Sequence, residues 1–244
     1  MGLAGVILAA GESTRMGRDK ALLPWPPDAS LKNTDVGPGA PTQAGELYSP
    51  TATQSAAGQV RAPAPTRAGA PSGTLLSNAI GVLSSVCDLV VVVVGNNEAV
   101  LAPLIYSCGA FLTRNPVPER GQFSSLQTGL QEVLNRGWDS AMVTLVDRPA
   151  PSISTIEHLV SAFNSRSHGT WAVVPEHQGK HGHPIIIGRE LIEQFLKAPA
   201  TANARNIEHA NQDRILYVAV DDPLVTSNIN TPEDYASLQS DIRL

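Results

Sequence analysis

The run LVVVVVG, Leu89 to Gly95, constrains the fold more than any other part of the chain. It carries no polar residue at alternate positions, so neither face of the strand it forms can be turned to water. Such strands belong to the interior of largely parallel sheets covered on both sides by helices. Shorter apolar runs recur along the chain and predict further strands at Gly5 to Ala9, Ala110 to Thr113, Ala141 to Val146, Trp171 to Pro175, His183 to Ile187 and Ile215 to Val220. Helical spacing predicts helices at Thr74 to Ser84, Ser124 to Arg136, Ser154 to Ser165 and Pro232 to Gln239. Strand and helix in alternation make an α/β protein with a doubly wound sheet.

A chain of 244 residues can bury about 70 to 75% of its extended surface in a single fold. The reading is therefore one domain over residues 1–244. Residues 26–72 break its rhythm: they are rich in Pro, Gly, Ala, Ser and Thr and lack apolar periodicity. Such a stretch cannot offset its own chain entropy and is expected to be an insertion or disordered loop. A solvated excursion is favoured over a lid, although the stretch leaves the fold near the candidate site.

Charge narrows the partners. Seventeen Lys and Arg face 22 Asp and Glu, a net charge of −5, so no electrostatic pull toward nucleic acid is expected. Cys87 and Cys108 are too few for a metal cluster or disulfide framework and are read as small buried side chains. The N-terminus runs into a strand without a basic region and apolar signal core, and no apolar run approaches the ~20 residues of a membrane span. The expectation is a soluble cytoplasmic protein that does not engage membranes.

Function is concentrated in LAAGESTRMGRDKALLP, Leu8 to Pro24, where a glycine-rich turn, Arg15 and Lys20 follow the first strand. Small residues let backbone N–H groups approach a phosphate, and cations offset its charge. Two common phosphate loops are excluded by spacing. A Walker A loop has four residues between its glycines and then Lys-Ser or Lys-Thr, whereas five separate Gly11 from Gly17 and Ala21 follows Lys20. A dinucleotide fingerprint needs G-x-G-x-x-G, and neither glycine has the required partner.

The loop resembles the signature of the nucleotidyltransferases related to molybdenum cofactor cytidylyltransferases and guanylyltransferases, a branch of the nucleoside-diphospho-sugar transferase fold. Four further segments match in order: NPVPERGQFSSLQTGL (Asn115 to Leu130), VTLVDRPAPS (Val143 to Ser152), GKHGHPIII (Gly179 to Ile187) and NINTPEDY (Asn228 to Tyr235). The resemblance spans nearly the whole chain apart from the insertion and implies a Rossmann-like sheet. It implies a magnesium-dependent transfer of a nucleoside monophosphate from an NTP to a phosphorylated acceptor such as molybdopterin, with release of pyrophosphate.

By that resemblance Arg15 and Lys20 hold the triphosphate, and Leu8, Ala9, Ala10, Gly11, Gly121 and Ser125 surround the nucleotide. Asp147, at the carboxyl end of a strand, is implied as a magnesium ligand and catalytic residue. Asn230 is implied as the second ligand, through an amide oxygen that brings no charge. Three residues depart from the pattern: Arg148 stands where glutamine is common, and Asn228 and Asn230 replace the aspartates of the cytidylyltransferases. His183, in Gly-His-Pro, is implied on the acceptor side.

Residues 8 to 11 read Leu-Ala-Ala-Gly, which within the family accompanies CTP, and the methyl of Ala10 suits a pyrimidine. CTP is therefore the expected substrate. No Ser-His-Asp or paired-carboxylate set supplies a strong general base, which fits an acceptor phosphate that is already ionised. Two alternatives stay open: a sugar-phosphate or other small-metabolite nucleotidyltransferase, and a nucleotide-binding regulatory or cofactor-insertion module without activity.

Overall fold

The computed structural model describes residues 2–11, 19–26, 73–199 and 201–241. Residues 27–72 of the expected insertion lie outside the described residues, as does Arg15. Ten strands are described: β1 (Ala4–Leu8), β2 (Pro24–Trp25), β3 (Gly73–Thr74), β4 (Leu89–Val94), β5 (Phe111–Arg114), β6 (Ser140–Leu145), β7 (Ala172–His177), β8 (Lys180–His181), β9 (Ile185–Gly188) and β10 (Ile215–Ala219). The helices are α1 (Leu75–Ser84), α2 (Glu98–Ser107), α3 (Gln122–Asn135), α4 (Ile153–Asn164), α5 (Arg189–Lys197), α6 (Ala204–Ala210) and α7 (Pro232–Asp241).

The main sheet runs β10-β7-β9-β6-β1-β4-β5, with β8 paired to β7. All lateral pairs are parallel except those of β9, which is antiparallel to both β6 and β7, and that of β8 with β7. Leaving out β9, the parallel strands follow the order of a doubly wound sheet, which reverses direction at β1. β9 enters this order because the chain turns back after β7 as β8 and then wedges between β6 and β7.

β4 is buried at all six positions, as an unbroken valine run requires. Its neighbour β1 is buried at all five. Alternate residues feed two cores. Ile7, Val92, Met142 and Val173 pack with α1, α2 and α4 through residues such as Ile80, Leu101 and Leu159. Val6, Leu8, Val93 and Val143 pack on the opposite face with α3 and α5 through Leu130, Ile192 and Phe195. Among the described residues, no helix is long and apolar enough to cross a membrane.

A third cluster ties the two ends of the chain together. Leu23, Trp25, Leu75, Ile229 and Leu238 pack with Tyr235, whose hydroxyl donates to the Pro24 carbonyl at 2.6 Å. α7 starts as its sequence predicts: the Asp234 carboxylate accepts from the Thr231 backbone, the Thr231 hydroxyl accepts from the Asp234 backbone, and Pro232 fills the first turn. Reciprocal bonds of this kind satisfy donors that a helix start otherwise leaves open.

Three helices escaped the sequence reading. α2 carries Pro103 in its interior, which removes a helical hydrogen bond and hides the period. α5 and α6 are short, and α5 begins directly after β9 at Gly188. The cysteine reading holds for Cys87, whose burial, with Asp88 alongside, pushes its thiol up to about 12. It is corrected for Cys108, which closes α2 and is only partly buried.

Gly182 is fixed by close approach of the backbone. A Cβ there would lie 2.2 Å from the Val225 carbonyl oxygen, the atom that accepts from the His183 N–H at 2.8 Å. Neither partner is a flexible side-chain end, so alanine must push two backbones apart. Gly182→Ala is expected to cost about 1–3 kcal/mol of stability, measured by denaturant unfolding. An unchanged midpoint would show that the segments separate freely.

Candidate active site

The order of the parallel strands reverses between β1 and β6, and open α/β sheets bind ligands beyond the carboxyl ends of their strands at such a point. Here Leu8 stands beside Leu145 in register, and the Val146 N–H donates to the Leu8 carbonyl at 3.1 Å. A cleft of about 420 Å³ opens above them, within the size range of small-molecule sites. Leu8, Ala10, Gly11, Lys20, Gly121, Ser125 and Asp147 all line it. Six residues with no assigned role, Asn96, Pro118, Glu119, Gln122, Leu145 and Val146, complete the wall.

Lys20 reaches this cleft from a single 3-10 turn, Lys20–Leu22, capped by Asp19, whose Oδ1 accepts from the Ala21 N–H at 3.0 Å. The other Asp19 oxygen accepts from Asn97 Nδ2 at 2.7 Å, and the same amide donates to the Ala9 carbonyl at 2.9 Å. Asn97 thus staples the end of β1 to the turn that carries the lysine. Ala9 serves this staple through its backbone while its side chain packs in the core, so it does not line the cleft. Nothing in the motif reading flagged Asn97; its signal was an asparagine pair just beyond the valine strand.

The opposite wall is the start of α3. Gly121 precedes it with φ of 91°, a conformation that side-chain-bearing residues reach only with strain. Asn115 is buried and donates through Nδ2 to the hydroxyls of Ser124 and Ser125 at 2.8 and 3.0 Å. Its Oδ1 accepts from the Val117 N–H at 3.0 Å. This network orients Ser125 in the wall, a positioning role for Asn115 that the sequence reading did not assign.

The charged centre is compact. Lys20 Nζ lies 3.5 Å from Asp147 Oδ2 and 3.5 Å from Asn230 Oδ1. The side chains of Lys20 and Asp147 are 15% and 27% exposed, so their attraction is less screened than at a free surface. Asn230 comes from the far end of the sequence, brought in because the Ile229 N–H donates to the Asp147 carbonyl at 2.8 Å. Asp147 Oδ1 is buried and has no hydrogen-bond partner among the described residues. Leaving such an oxygen unpaired costs about 1–3 kcal/mol or more.

That orphaned oxygen is an observation against which a divalent ion can be tested. Magnesium takes hard oxygen ligands, often only one or two from protein, and completes its shell with water and substrate phosphates. Asp147 and the Asn230 amide oxygen fit this demand. Among the described residues no group of three or more His, Cys, Asp or Glu side chains gathers.

His183 does not line the cleft. It sits on the far side of β6, partly buried, with Nδ1 3.4 Å from the Val143 carbonyl. Burial, with the charge of Arg148 adding to it, lowers its pKa from 6.5 to about 4 against the Val143 contact, so the ring is neutral at pH 7. Asp222 shows the opposite balance: burial would raise its pKa, but bonds from the Ser152 N–H, Thr155 hydroxyl and Leu224 N–H hold it below the usual carboxylate value.

These two groups act on stability in separate pH windows. Between pH 6.5 and about 4 the unfolded chain binds a proton at His183 that the fold refuses, so stability falls as pH drops through that range. Asp222 stabilises above the unfolded carboxylate pKa, and that contribution is lost as pH falls below 3.8 toward its depressed folded value. The melting temperature is expected to decline in two stages on acidification, and His183→Gln to remove the upper one. A single stage unaffected by that variant would contradict the neutral, partly buried imidazole.

The sequence profile of the MobA-like NTP transferase domain matches residues 5–33 and 68–213. The chain belongs to the MobA-like NTP transferase domain family. A curated relative of this MobA-like chain, the probable molybdenum cofactor guanylyltransferase of Mycobacterium avium, is 24% identical over 243 residues, covering 98% of this chain and 95% of that protein. Two solved structures share the fold. A nucleotidyl transferase from Methanothermobacter thermautotroptrophicus superposes with a TM-score of 0.67 at 18% identity, covering 99% of this chain and 97% of that one. Rv0371c of Mycobacterium tuberculosis H37Rv, solved in complex with manganese, gives 0.64 at 16% identity, covering 98% and 99%.

Proposed function

We propose that this MobA-like nucleotidyltransferase moves a nucleoside monophosphate from an NTP to the terminal phosphate of a molybdopterin-type acceptor, releasing pyrophosphate. The observation that carries the reading is the meeting of Lys20, Asp147 and Asn230 at the carboxyl edge of β1 and β6. In this reaction an acceptor oxygen attacks the α-phosphorus while negative charge spreads over the phosphate oxygens. Positioning and charge stabilisation do most of the catalytic work. Lys20 supplies a compact positive charge, the wall formed by Gly121 and Ser125 positions the nucleotide, and Arg15 is proposed to hold the outer phosphates. Asp147 and Asn230 would hold magnesium, which when bound offsets charge on the phosphates. Rv0371c, which shares the fold, was solved in complex with manganese; the proposed divalent ion rests on the donor chemistry of Asp147 and Asn230.

GTP is the proposed nucleotide, because the Mycobacterium avium relative that spans nearly the whole chain is named for guanylyl transfer. This replaces the expectation of CTP, which rests on the Leu-Ala-Ala-Gly of residues 8 to 11 with the methyl of Ala10 and remains the second reading. The test is pyrophosphate release with GTP, CTP, ATP and UTP against molybdopterin and a set of sugar phosphates. Release with GTP and molybdopterin is the expected result. Release with CTP restores the second reading. Sugar phosphates as the only productive acceptors would move the chain to another substrate class. Nucleotide binding by calorimetry with no turnover would favour a module without activity.

A further inference from the structure

Four parallel strand ends lie under the cleft, in the order β6-β1-β4-β5. Each sends residues into its lining: Asp147 follows β6, Ala10 follows β1, Asn96 follows β4, and Pro118 and Glu119 follow β5. Neighbouring strands are about 4.8 Å apart, so the three steps from β6 to β5 span about 14 Å. Lys20 and Asp147 mark the β6 end. A nucleotide whose phosphates meet them and whose body stays in the cleft carries its base toward β4 and β5.

Glu119 is held at that end by its backbone. It sits in the 3-10 turn Pro118–Arg120, which is closed by the Arg120 N–H on the Val117 carbonyl at 3.1 Å and the Gly121 N–H on the Pro118 carbonyl at 3.0 Å. Buried Asn115 anchors the start of the turn, its Oδ1 accepting from the Val117 N–H at 3.0 Å. Pro118 packs over the end of β4: a Cβ built on Gly95 would lie 3.1 Å from the Pro118 Cβ and 2.8 Å from the Ala10 carbonyl oxygen. Glycine at 95 thus lets the turn close down on the ends of β1 and β4. Among the described residues two carboxylates line the cleft, and they differ in their partners. Asp147 meets Lys20, whereas no described cation pairs with Glu119.

We infer that Glu119 reads the base of the nucleotide and selects guanine. This rests on the nucleotidyl-transfer reading and adds to it the residue that chooses among nucleotides. A carboxylate offers two acceptor oxygens and no donor. Guanine presents N1–H and its 2-amino group side by side, so both oxygens find a donor, in charge-assisted bonds. Cytosine and adenine set one amino group beside a ring nitrogen lone pair, and uracil sets one N–H between two carbonyls. Each of these bases turns an acceptor toward the carboxylate and is disfavoured. Side-chain chemistry thereby reaches GTP independently of the activity for which a relative is named.

The sign of the effect separates this role from that of an ordinary surface carboxylate. Glu119 is exposed, and without a base contact its charge would only repel a triphosphate, so its removal would leave nucleotide binding unchanged or tighten it. The experiment measures binding of GTP, CTP and inosine triphosphate, which lacks the 2-amino group, to the full chain, Glu119→Ala and Glu119→Gln by calorimetry with magnesium present. The wild-type chain is expected to bind GTP about tenfold or more tightly than inosine triphosphate, as for hydrogen bonds to a charged group. Glu119→Ala is expected to weaken GTP by about tenfold or more and to bring the ratio of the two affinities near one. Glu119→Gln, which keeps the shape and one acceptor, is expected to fall between. GTP binding that is unchanged or tighter in Glu119→Ala would overturn the inference. An equal loss for GTP and inosine triphosphate would also overturn it, by placing Glu119 on the sugar or the phosphates. So would a wild-type chain that binds CTP more tightly than GTP. If the wild-type chain transfers nothing to molybdopterin, the proposed function fails, and a preference for GTP over inosine triphosphate that disappears in Glu119→Ala would still support the base contact.

Discussion

Alanine at position 147 is expected to lower turnover by about 10²- to 10³-fold while leaving the chain folded. The side chain faces the cleft, but the structural contact of this residue is made by its backbone, whose carbonyl accepts from the Ile229 N–H at 2.8 Å. The substitution therefore removes the carboxylate beside Lys20 without cutting the tie to the C-terminal segment. Asp147→Asn separates charge from shape: it keeps an oxygen that can coordinate but loses the negative charge that attracts a divalent ion. Its rate is expected to fall between wild type and alanine, with half-saturation at a higher magnesium concentration. Steady-state rates over a magnesium titration, with thermal melts alongside, check both points. A wild-type rate in Asp147→Ala would place the chemistry elsewhere.

Lys20→Ala is expected to reduce turnover by a similar 10² to 10³, for a different reason. The ammonium lies between a carboxylate and an amide oxygen, 3.5 Å from each. This arrangement keeps it in the cleft before a nucleotide arrives. Removing it deprives the phosphates of a point charge and leaves Asp147 without its neighbour, a loss of about 1 kcal/mol or less in stability for a pair still in contact with water. Lys20→Arg should rescue poorly, because a wide planar guanidinium cannot occupy the place of a compact ammonium. The Lys20→Ala/Asp147→Ala double variant should lose less than the product of the single losses, as residues acting on one transition state do. Multiplicative losses would mean that the two side chains serve independent steps.

Both predictions concern residues that the sequence made visible, and the reason is physical. A strand closed to water on both faces announces itself as a valine run, and β4 is buried throughout. Lys20 and Asp147 each follow such a strand or its partner, where a polar residue has little to do unless it serves a ligand. The thread is harder to see where position depends on distant contacts. α2 was obscured by Pro103, and β9 runs antiparallel because of a turn that its apolar composition cannot report. Asn97 and Asn115 act through hydrogen bonds whose partners are set only once β1, β4 and α3 are packed. His183 matched a motif, yet the fold places it across β6 from the cleft that Lys20 and Asp147 line. Nucleotide choice rested on the Leu-Ala-Ala-Gly of residues 8 to 11 with the methyl of Ala10, too small a signal to separate two bases.

The lysine and the amide that share the site are 210 positions apart. A chain emerging from the ribosome therefore completes most of its sheet, and both of its larger cores, before the last portion of the centre exists. Until that last segment arrives and α7 docks through Tyr235 onto Pro24, Lys20 lacks its Asn230 neighbour. A product that stops short of Asn230, however well it folds, lacks the amide oxygen that meets Lys20.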